Sequence, residues 1–363
     1  MRKPISIGVV GIGFGQQVLV PAFRSDARCM IAGICASRFD RAQQVAQALN
    51  IPRAYRDGNE LAAAPDISAV AIATPPGIQA TVALAAARAG KHVFCEKPLA
   101  LDASQARELL AAVRASKAAH AIDFEFAEMD AWQQTRRILQ EGSLGEIRQV
   151  VLSWRVETYS YRAQTHSWKT QLENGGGTLN NFASHTFYYL EWLFGPIARL
   201  SARLTPRESG GAEARADLWL EFEAGFPGSA SIAADAFLGP GHRLEVYGDA
   251  GSLVLENPTS DYMRGFTLRV ATRKSGRFDE IPVMQDAGGQ DGRISPVSRI
   301  VSRFLDAVES GGEVSPNLRD GLRVQILIDA ARAGDRTGGW QTVAGGVDQS
   351  CLLLRPWPPN STL

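Results

Sequence analysis

An apolar run from Ile5 to Val10 ends in Gly11-Ile12-Gly13-Phe14-Gly15, and a helical pattern follows through Phe23. The first glycine permits a tight turn. The second lets the backbone approach a pyrophosphate, which the start of a helix attracts. A third glycine is usual at position 16, where this chain has Gln16, and Gly15 lies one residue early. Gly11, Gly13, Phe14 and Gly15 are therefore expected at a dinucleotide. About 20 residues past such a turn, a site for an unphosphorylated ribose expects an acid. This chain has Ala36-Ser37-Arg38 there, with no carboxylate among the three. Ser37 can donate a hydrogen bond, and Arg38 can pair with a 2′-phosphate and stack on adenine. The pattern favours NADP(H) over NAD(H).

The elements that must position these residues alternate. After Ile5 to Val10, strands are expected at Met30 to Cys35, Ala69 to Ala73, His92 to Cys95 and Ala119 to Phe124. Helices are expected at Asp40 to Leu49, Ile78 to Ala89 and Asp102 to Ser116. Five short apolar strands separated by helices predict a parallel, doubly wound Rossmann sheet with right-handed crossovers. Ligands then bind at the carboxyl ends of the strands. After Phe124 the rhythm changes. A helix is expected over Met129 to Gln140, then strands at Ile147 to Val156, Leu218 to Phe222, Ser229 to Ala234, Arg243 to Tyr247 and Ser252 to Leu255. Gly248-Asp249-Ala250-Gly251 reads as a hairpin turn. One helix is expected over Leu179 to Phe194, and amphipathic helices over Pro296 to Ser310 and Leu318 to Arg332. The segment Asp286 to Gly292 reads as a glycine-rich loop, and the proline-bearing tail after Leu354 as loosely held. The fold class is thus α/β, with a dinucleotide-binding domain over residues 1–125. A second α/β domain over residues 126–345 carries a large, open, mostly antiparallel sheet, and 346–363 forms a tail.

Bulk composition suits a two-domain globular enzyme: 363 residues, 45% hydrophobic and 21% charged, with a formal net charge of +0. Nothing favours nucleic acid, which wants a basic face. No apolar run is long enough to span a bilayer. Cys29, Cys35, Cys95 and Cys351 are scattered without CxxC spacing and read as small buried hydrophobes of a reducing, cytoplasmic compartment. His166, His185 and His242 have no metal-ligand spacing, so no metal is expected. Between Trp154 and Lys169 lies an aromatic, basic stretch with Tyr159, Tyr161, Arg162, His166 and Trp168. Its rings can stack on a sugar or a base, and Arg162 or Lys169 can meet an anion. An interface or loop-anchor role stays open for it.

Several segments together resemble the Gfo/Idh/MocA family, the relatives of glucose-fructose oxidoreductase and inositol dehydrogenase. They are Ala73-Thr74-Pro75-Pro76, Ala89-Gly90-Lys91-His92, Val93-Phe94-Cys95-Glu96-Lys97-Pro98, and the run Gly175-Gly176-Gly177 through Asn180-Asn181-Phe182 to His185. The resemblance runs from about residue 5 to about residue 343. It implies a nicotinamide cofactor, a sugar or cyclitol substrate, and homodimers or homotetramers formed through the open sheet of the second domain. It places Lys97 beside the nicotinamide and Glu96 as the acid that orients the lysine or the cofactor, with a cis bond expected at Pro98. It adds Thr74, Pro75, Gln79 and Glu125 to the cofactor site. His185 matches the family's acid/base histidine. Asn181 stands four residues earlier, on the same expected helix face, where many members have aspartate. Asparagine cannot exchange a proton at neutral pH but can hydrogen-bond a hydroxyl or hold the histidine. Proton transfer is therefore expected of Lys97 and His185. Gln79 and Glu125 depart from the family's usual histidine and asparagine, and Ala127 from its arginine, which implies a divergent subgroup. The second domain's aromatic stretch, with Tyr159, Arg162 and Trp168, is implied to border the substrate together with Lys97, Asn181 and His185.

The function implied is reversible hydride transfer between NADP(H) and a secondary alcohol or ketone of a sugar, nucleotide sugar or cyclitol. Other readings stay open: glycoside cleavage through transient oxidation on a tightly held cofactor, a non-catalytic dinucleotide sensor, or an imine or C=C reductase.

Overall fold

The computed structural model describes residues 4–165, 167–259, 261–285 and 291–343. His166, residues 286–290 of the glycine-rich loop, and the tail with Cys351 lie outside them.

The chain divides into two compact units. The first comprises Met1–Glu128 and Gly288–Gln325, and the second Met129–Ala287 and Ile326–Leu363. Residues 288–325, expected in the second domain, thus count with the first.

In the first unit, six strands form one sheet: β1 Ile5–Val10, β2 Cys29–Cys35, β3 Arg53–Tyr55, β4 Ala69–Ile72, β5 His92–Cys95 and β6 His120–Ile122. Their spatial order is β3-β2-β1-β4-β5-β6, and every pair is parallel. This is the order of a dinucleotide-binding sheet, with its switch point between β1 and β4. Helices α1 Val20–Arg24, α2 Phe39–Ala48, α3 Gly58–Ala63, α4 Pro76–Arg88 and α5 Ala103–Ser116 connect the strands. Five strands were expected. The sixth, β3, has three residues at the sheet edge, too few to leave a periodicity. α3 also escaped, although Asp57 caps it by accepting from the N–H groups of Asn59 and Glu60.

Helix α9, Ile294–Ser310, belongs to this unit for a packing reason. Its Phe304 meets Phe23 of α1 and Phe94 of β5 edge-to-face, with ring centroids 6.3 and 5.7 Å away, and Phe23 meets Phe94 at 5.5 Å. All three rings are fully buried. An amphipathic helix sits where its apolar stripe is covered, and sequence distance does not oppose that.

The second unit contains α6 Asp130–Gln140, β7 Ile147–Arg155, the single turn α7 Tyr159–Arg162, and α8 Ser184–Phe194. Seven strands follow: β8 Ile197–Pro206, β9 Glu213–Phe222, β10 Pro227–Ala233, β11 Gly241–Gly248, β12 Gly251–Asn257, β13 Thr267–Thr272 and β14 Phe278–Ile281. Helix α10, Leu318–Thr337, and the short β15, Gln341–Thr342, end the described chain. The sheet has nine strands in the order β14-β13-β12-β11-β7-β10-β9-β8-β15. Only β10 and β7 pair in parallel. The expected hairpin joins β11 to β12.

Strands β8, β13 and β14 were not anticipated, because arginines and glutamates interrupt their apolar pattern, and β15 has only two residues. Those charges lie on one side of the sheet, where Glu256 accepts from Arg243 and Arg269 on neighbouring strands. The expected single helix over Leu179 to Phe194 opens instead with a wider π turn, Leu179–Ala183, before α8.

Candidate functional site

At the switch point of the first sheet, the Gly11 N–H bonds to Cys35 O at 2.9 Å, and the Ala73 N–H to Val10 O at 2.8 Å. This draws the ends of β1, β2 and β4 together. Gly11 has φ +106°, and a Cβ there would stand 2.2 Å from Ala73 O, so no other residue fits. Around Gly13 the reverse holds: nothing lies within 4 Å of where a Cβ would be. That open backbone is the place a pyrophosphate can approach. A Cβ on Gly15 would lie 3.1 Å from Val9 Cγ1, so Gly15 supplies the close helix-to-strand packing expected of a third glycine. The one-residue offset is absorbed by a π turn over Gly15–Leu19, where the Val20 N–H bonds to Gly15 O. Thr74 Oγ1, after β4, is buried with no hydrogen-bond partner among the described residues. Its neighbour Pro75 precedes α4. An open backbone and an unsatisfied hydroxyl fit a dinucleotide.

Arg293, just before α9, lies 5.1 Å over the Phe14 ring and pairs with Asp291. No sequence motif pointed to it, because it joins the glycine turn only through the docking of α9. Ser37 and Arg38 are exposed beyond β2, as a cofactor's ribose end needs. Asp40, in the first turn of α2, binds the Arg38 guanidinium. A carboxylate therefore does stand close to Arg38, two residues beyond the segment read for one.

Lys97 follows β5 in a turn closed by a cis Lys97–Pro98 bond. Its N–H donates to Glu96 Oε2 at 2.9 Å, while the Glu96 N–H bonds to Ile72 O at 2.9 Å. Gln79, expected at the cofactor, is 1% exposed. Its Nε2 donates to Glu96 O at 2.5 Å and Pro98 O at 2.8 Å, with Leu99 O at 3.4 Å. Gln79 therefore holds the backbone on both sides of Lys97.

Behind this turn lie three buried carboxyls: Glu96 at 8% exposed, Asp123 at 0% and Glu125 at 2%. Burial first, then the charges of Glu125 and Glu96, pushes Asp123 well above the ordinary carboxyl range. Burial and then Glu96 raise Glu125 to about 7, against the opposing pull of Lys97 and Arg293. Asp123 was not singled out from the sequence. Its one signal was a charged residue directly after the apolar β6.

In the second unit, two of the three glycines before Asn181 serve packing, while Gly175 ends a short turn at φ +76°. A Cβ on Gly176 would stand 2.4 Å from Trp168 O, and one on Gly177 2.3 Å from Glu213 Oε1. Glu213, buried with its carboxyl raised chiefly by burial, accepts from the Leu179 N–H at 3.0 Å. Asn181 Nδ2 donates to Gly177 O at 2.8 Å and to Lys169 O at 3.4 Å. His185, 4% exposed, lies beside the Trp154 ring with centroids 6.4 Å apart. Trp154 stacks at 4.4 Å on His242, whose Nε2 is 3.0 Å from the Tyr189 hydroxyl. Burial lowers His242 to about 3, which keeps it neutral.

Of the aromatic stretch, Trp168 is half-buried on a short turn capped by Ser167, and Arg162 is exposed. Tyr159 is 67% exposed. Within its unit, the structure brings Lys97, Glu96, Gln79 and Glu125 together, and Asn181 with Lys169. It leaves Tyr159 in solvent.

Residues 5–124 match the Gfo/Idh/MocA oxidoreductase family description for an NAD-binding Rossmann fold, and residues 136–343 its C-terminal alpha/beta domain. An uncharacterised oxidoreductase of Synechocystis sp. is 33% identical over 93% of this chain and 96% of its own. Inositol 2-dehydrogenase of Rhizobium meliloti is 27% identical over 90% and 96%. A solved levoglucosan dehydrogenase, in complex with NADH and levoglucosan, superposes with a TM-score of 0.83 at 24% identity, covering 94% of this chain and 100% of that one. At that identity the likeness speaks for the fold.

Proposed function

We propose that this chain, which belongs to the Gfo/Idh/MocA family of oxidoreductases, moves a hydride between NADP(H) and a secondary alcohol or ketone of a sugar, nucleotide sugar or cyclitol. The observation that carries the reading is the open backbone at Gly13, set between the tight Gly11 turn and the packed Gly15. The relative named inositol 2-dehydrogenase supports the substrate class. A nicotinamide dinucleotide supplies the hydride donor or acceptor.

The chain's own residues do the rest. Gly11 to Gly15 and Phe14 seat the pyrophosphate, with Thr74 and Pro75 at the neighbouring strand end. Ser37 and Arg38 receive a 2′-phosphate once Arg38 leaves Asp40. Lys97 takes or gives the hydroxyl proton, on a turn fixed by Gln79 and Glu96. His185 is the second acid/base candidate, and Asn181 hydrogen-bonds without exchanging a proton. Tyr159, Arg162 and Trp168 border the substrate.

We extend the proposal to assembly through the open face of the nine-stranded sheet, where Trp219, Tyr247 and Phe278 stand exposed on one side. Cytoplasmic residence agrees with the unpaired thiols of Cys29, Cys35 and Cys95. Among the described residues, no helix is long and apolar enough to cross a membrane.

The experiment strips the protein of ligand, titrates NADPH and NADH in parallel, and screens ketosugars and polyols by reduced-nicotinamide absorbance. NADPH should bind tighter. Lys97→Ala should keep binding while hydride transfer falls by about 10²–10⁴-fold, the usual worth of a positioned acid or base. Full turnover by that variant refutes the mechanism, and a clear NADH preference refutes the reading of Arg38.

A further inference from the structure

The parallel pairing of β5 and β6 sets Cys95 opposite Ile122, so Glu96 and Asp123 leave the sheet side by side. The Asp123 N–H donates to Cys95 O at 2.9 Å, which fixes that juxtaposition. The chain then turns at once, over Glu125–Glu128, and brings Glu125 back to the same place. Three buried carboxyls thus lie together behind the half-buried lysine that follows Glu96.

Among the described residues, the charges that bear on this group come from three places. Glu96 and Lys97 come from the turn after β5, Asp123 and Glu125 from the turn after β6. Arg293 comes from the start of α9 and is itself paired with Asp291. Glu128, farther along the second turn, is already held by Arg303 of α9. Three adjacent buried carboxylates beside one lysine and one shared arginine cannot all be ionised, because desolvation and mutual repulsion both oppose it.

We propose that Asp123 and Glu125 are positioning residues behind Lys97: Asp123 keeps its proton, and Glu125 exchanges one with that lysine during hydride transfer. The inference rests on the hydride-transfer reading above. In the oxidative direction, a bound oxidised nicotinamide would take the hydride from the substrate carbon, and the hydroxyl proton passes to Lys97 as the lysine ammonium hands one of its own protons on. The proton handed on goes to the Glu125 carboxylate, which becomes the acid, and Lys97 ends as the ammonium it began as. In the reductive direction Glu125 gives that proton back. Asp123 is the deeper member: it stays protonated and limits the negative charge that Glu96 and Glu125 must bear together. The chain thereby has an acid behind the lysine, while its second unit carries Asn181 in a position where an aspartate is common in the family.

The pH sense follows. Below about 7 Glu125 is already protonated and accepts nothing, so oxidation should rise with pH through that range and reduction should fall. The group that sets this limb lies in the protein and does not need a substrate to be seen.

The test is infrared spectroscopy of the purified full chain, following the carbonyl stretch of protonated carboxyls from acid to alkaline pH. The wild type should keep a carboxylic-acid band at neutral pH, part of which bleaches around pH 7. Glu125→Gln should lose the bleaching part, and Asp123→Asn the persistent part. If either variant does not fold, the other decides. A band identical in the wild type and the folded variants overturns the proposal.

A second measurement separates this inference from the function it rests on. NADP+ is titrated into wild type and Glu125→Gln calorimetrically, in buffers of different protonation enthalpy. Binding accompanied by proton release in the wild type and not in Glu125→Gln supports the relay, and equal release in both overturns it. If neither NADP+ nor NAD+ binds the wild type, the hydride-transfer function falls, and the exchange with Lys97 falls with it. The infrared band still decides whether the buried acids hold a proton.

Discussion

Replacing Gln79 by leucine tests how firmly the Lys97 turn is held. The amide nitrogen bonds to Glu96 O and Pro98 O, while Gln79 Oε1 has no partner among the described residues. Leucine removes both donations and leaves two buried carbonyls without them. A buried polar group left unpaired costs roughly 1–3 kcal/mol, so the pair costs about 2–6 kcal/mol. Burying leucine in place of an amide offsets about 1 kcal/mol of that. The net loss is about 1–5 kcal/mol, carried by the first unit. The six tryptophans among the described residues all belong to the other unit, so none is a probe within this one. Hydrogen exchange is the assay. In the wild type the amides of Val93 and Glu96 are held by Ala119 O and Ile72 O. In Gln79→Leu they should exchange about 5- to 4000-fold faster, at about 1.4 kcal/mol per tenfold. Gln79→His, whose neutral ring offers one donor, should fall between the two. Exchange within about threefold of wild type in the leucine variant would show that the amide does not brace the turn.

Two glycines of the cofactor turn should respond in opposite ways. Gly11→Ala meets Ala73 O at 2.2 Å in a left-handed backbone and should lower the thermal midpoint, whereas Gly13→Ala meets nothing in the protein and should leave it unchanged while weakening NADPH binding. A Gly13→Ala protein that binds as the wild type does would remove the pyrophosphate from that spot. Asn181→Asp should not raise activity, because the new carboxylate faces the Gly177 and Lys169 carbonyls that the amide now satisfies. It should destabilise the second unit by roughly 1–3 kcal/mol at alkaline pH. The carboxyl donates when neutral, so its folded pKa lies above its unfolded one, and stability should recover as pH falls through that folded value. Urea midpoints followed by tryptophan fluorescence across pH read this directly, and a pH-independent midpoint would contradict it.

The parts of the fold legible in the sequence are those where one physical requirement dominates several adjacent residues. Buried parallel strands must be apolar throughout, so β1, β2, β4 and β5 stood out within a residue or two. Strands of the second sheet face an ion-pair ladder on one side, and Arg199, Arg203 and Arg269 mask β8 and β13 as polar segments. The glycine turn was legible in composition but not in geometry. The sequence places the third glycine one residue early, and only the π turn shows how the helix accommodates it. Gln79 was legible as a departure from the family, but its three carbonyl partners come from a turn 17 to 20 residues away. Asp123 and Arg293 were not legible as site residues, since each gains its role from a neighbour brought up by strand register or helix docking.

The same physics governs both departures from the family's acid/base pattern. An amide suits a place ringed by carbonyl oxygens because it donates twice without changing charge, and Asn181 is ringed in that way. A carboxyl suits a place where a proton must come and go near neutrality, which requires burial strong enough to oppose ionisation and a nearby cation to keep it within reach. Glu125 has both: full burial beside Glu96, and the counteracting fields of Lys97 and Arg293. Removing the cation should therefore strand the proton. Lys97→Met ought to move the bleaching of the carboxylic-acid band to higher pH. A band that titrated unchanged would mean that Lys97 exerts no field on Glu125, and the relay would lose its first link.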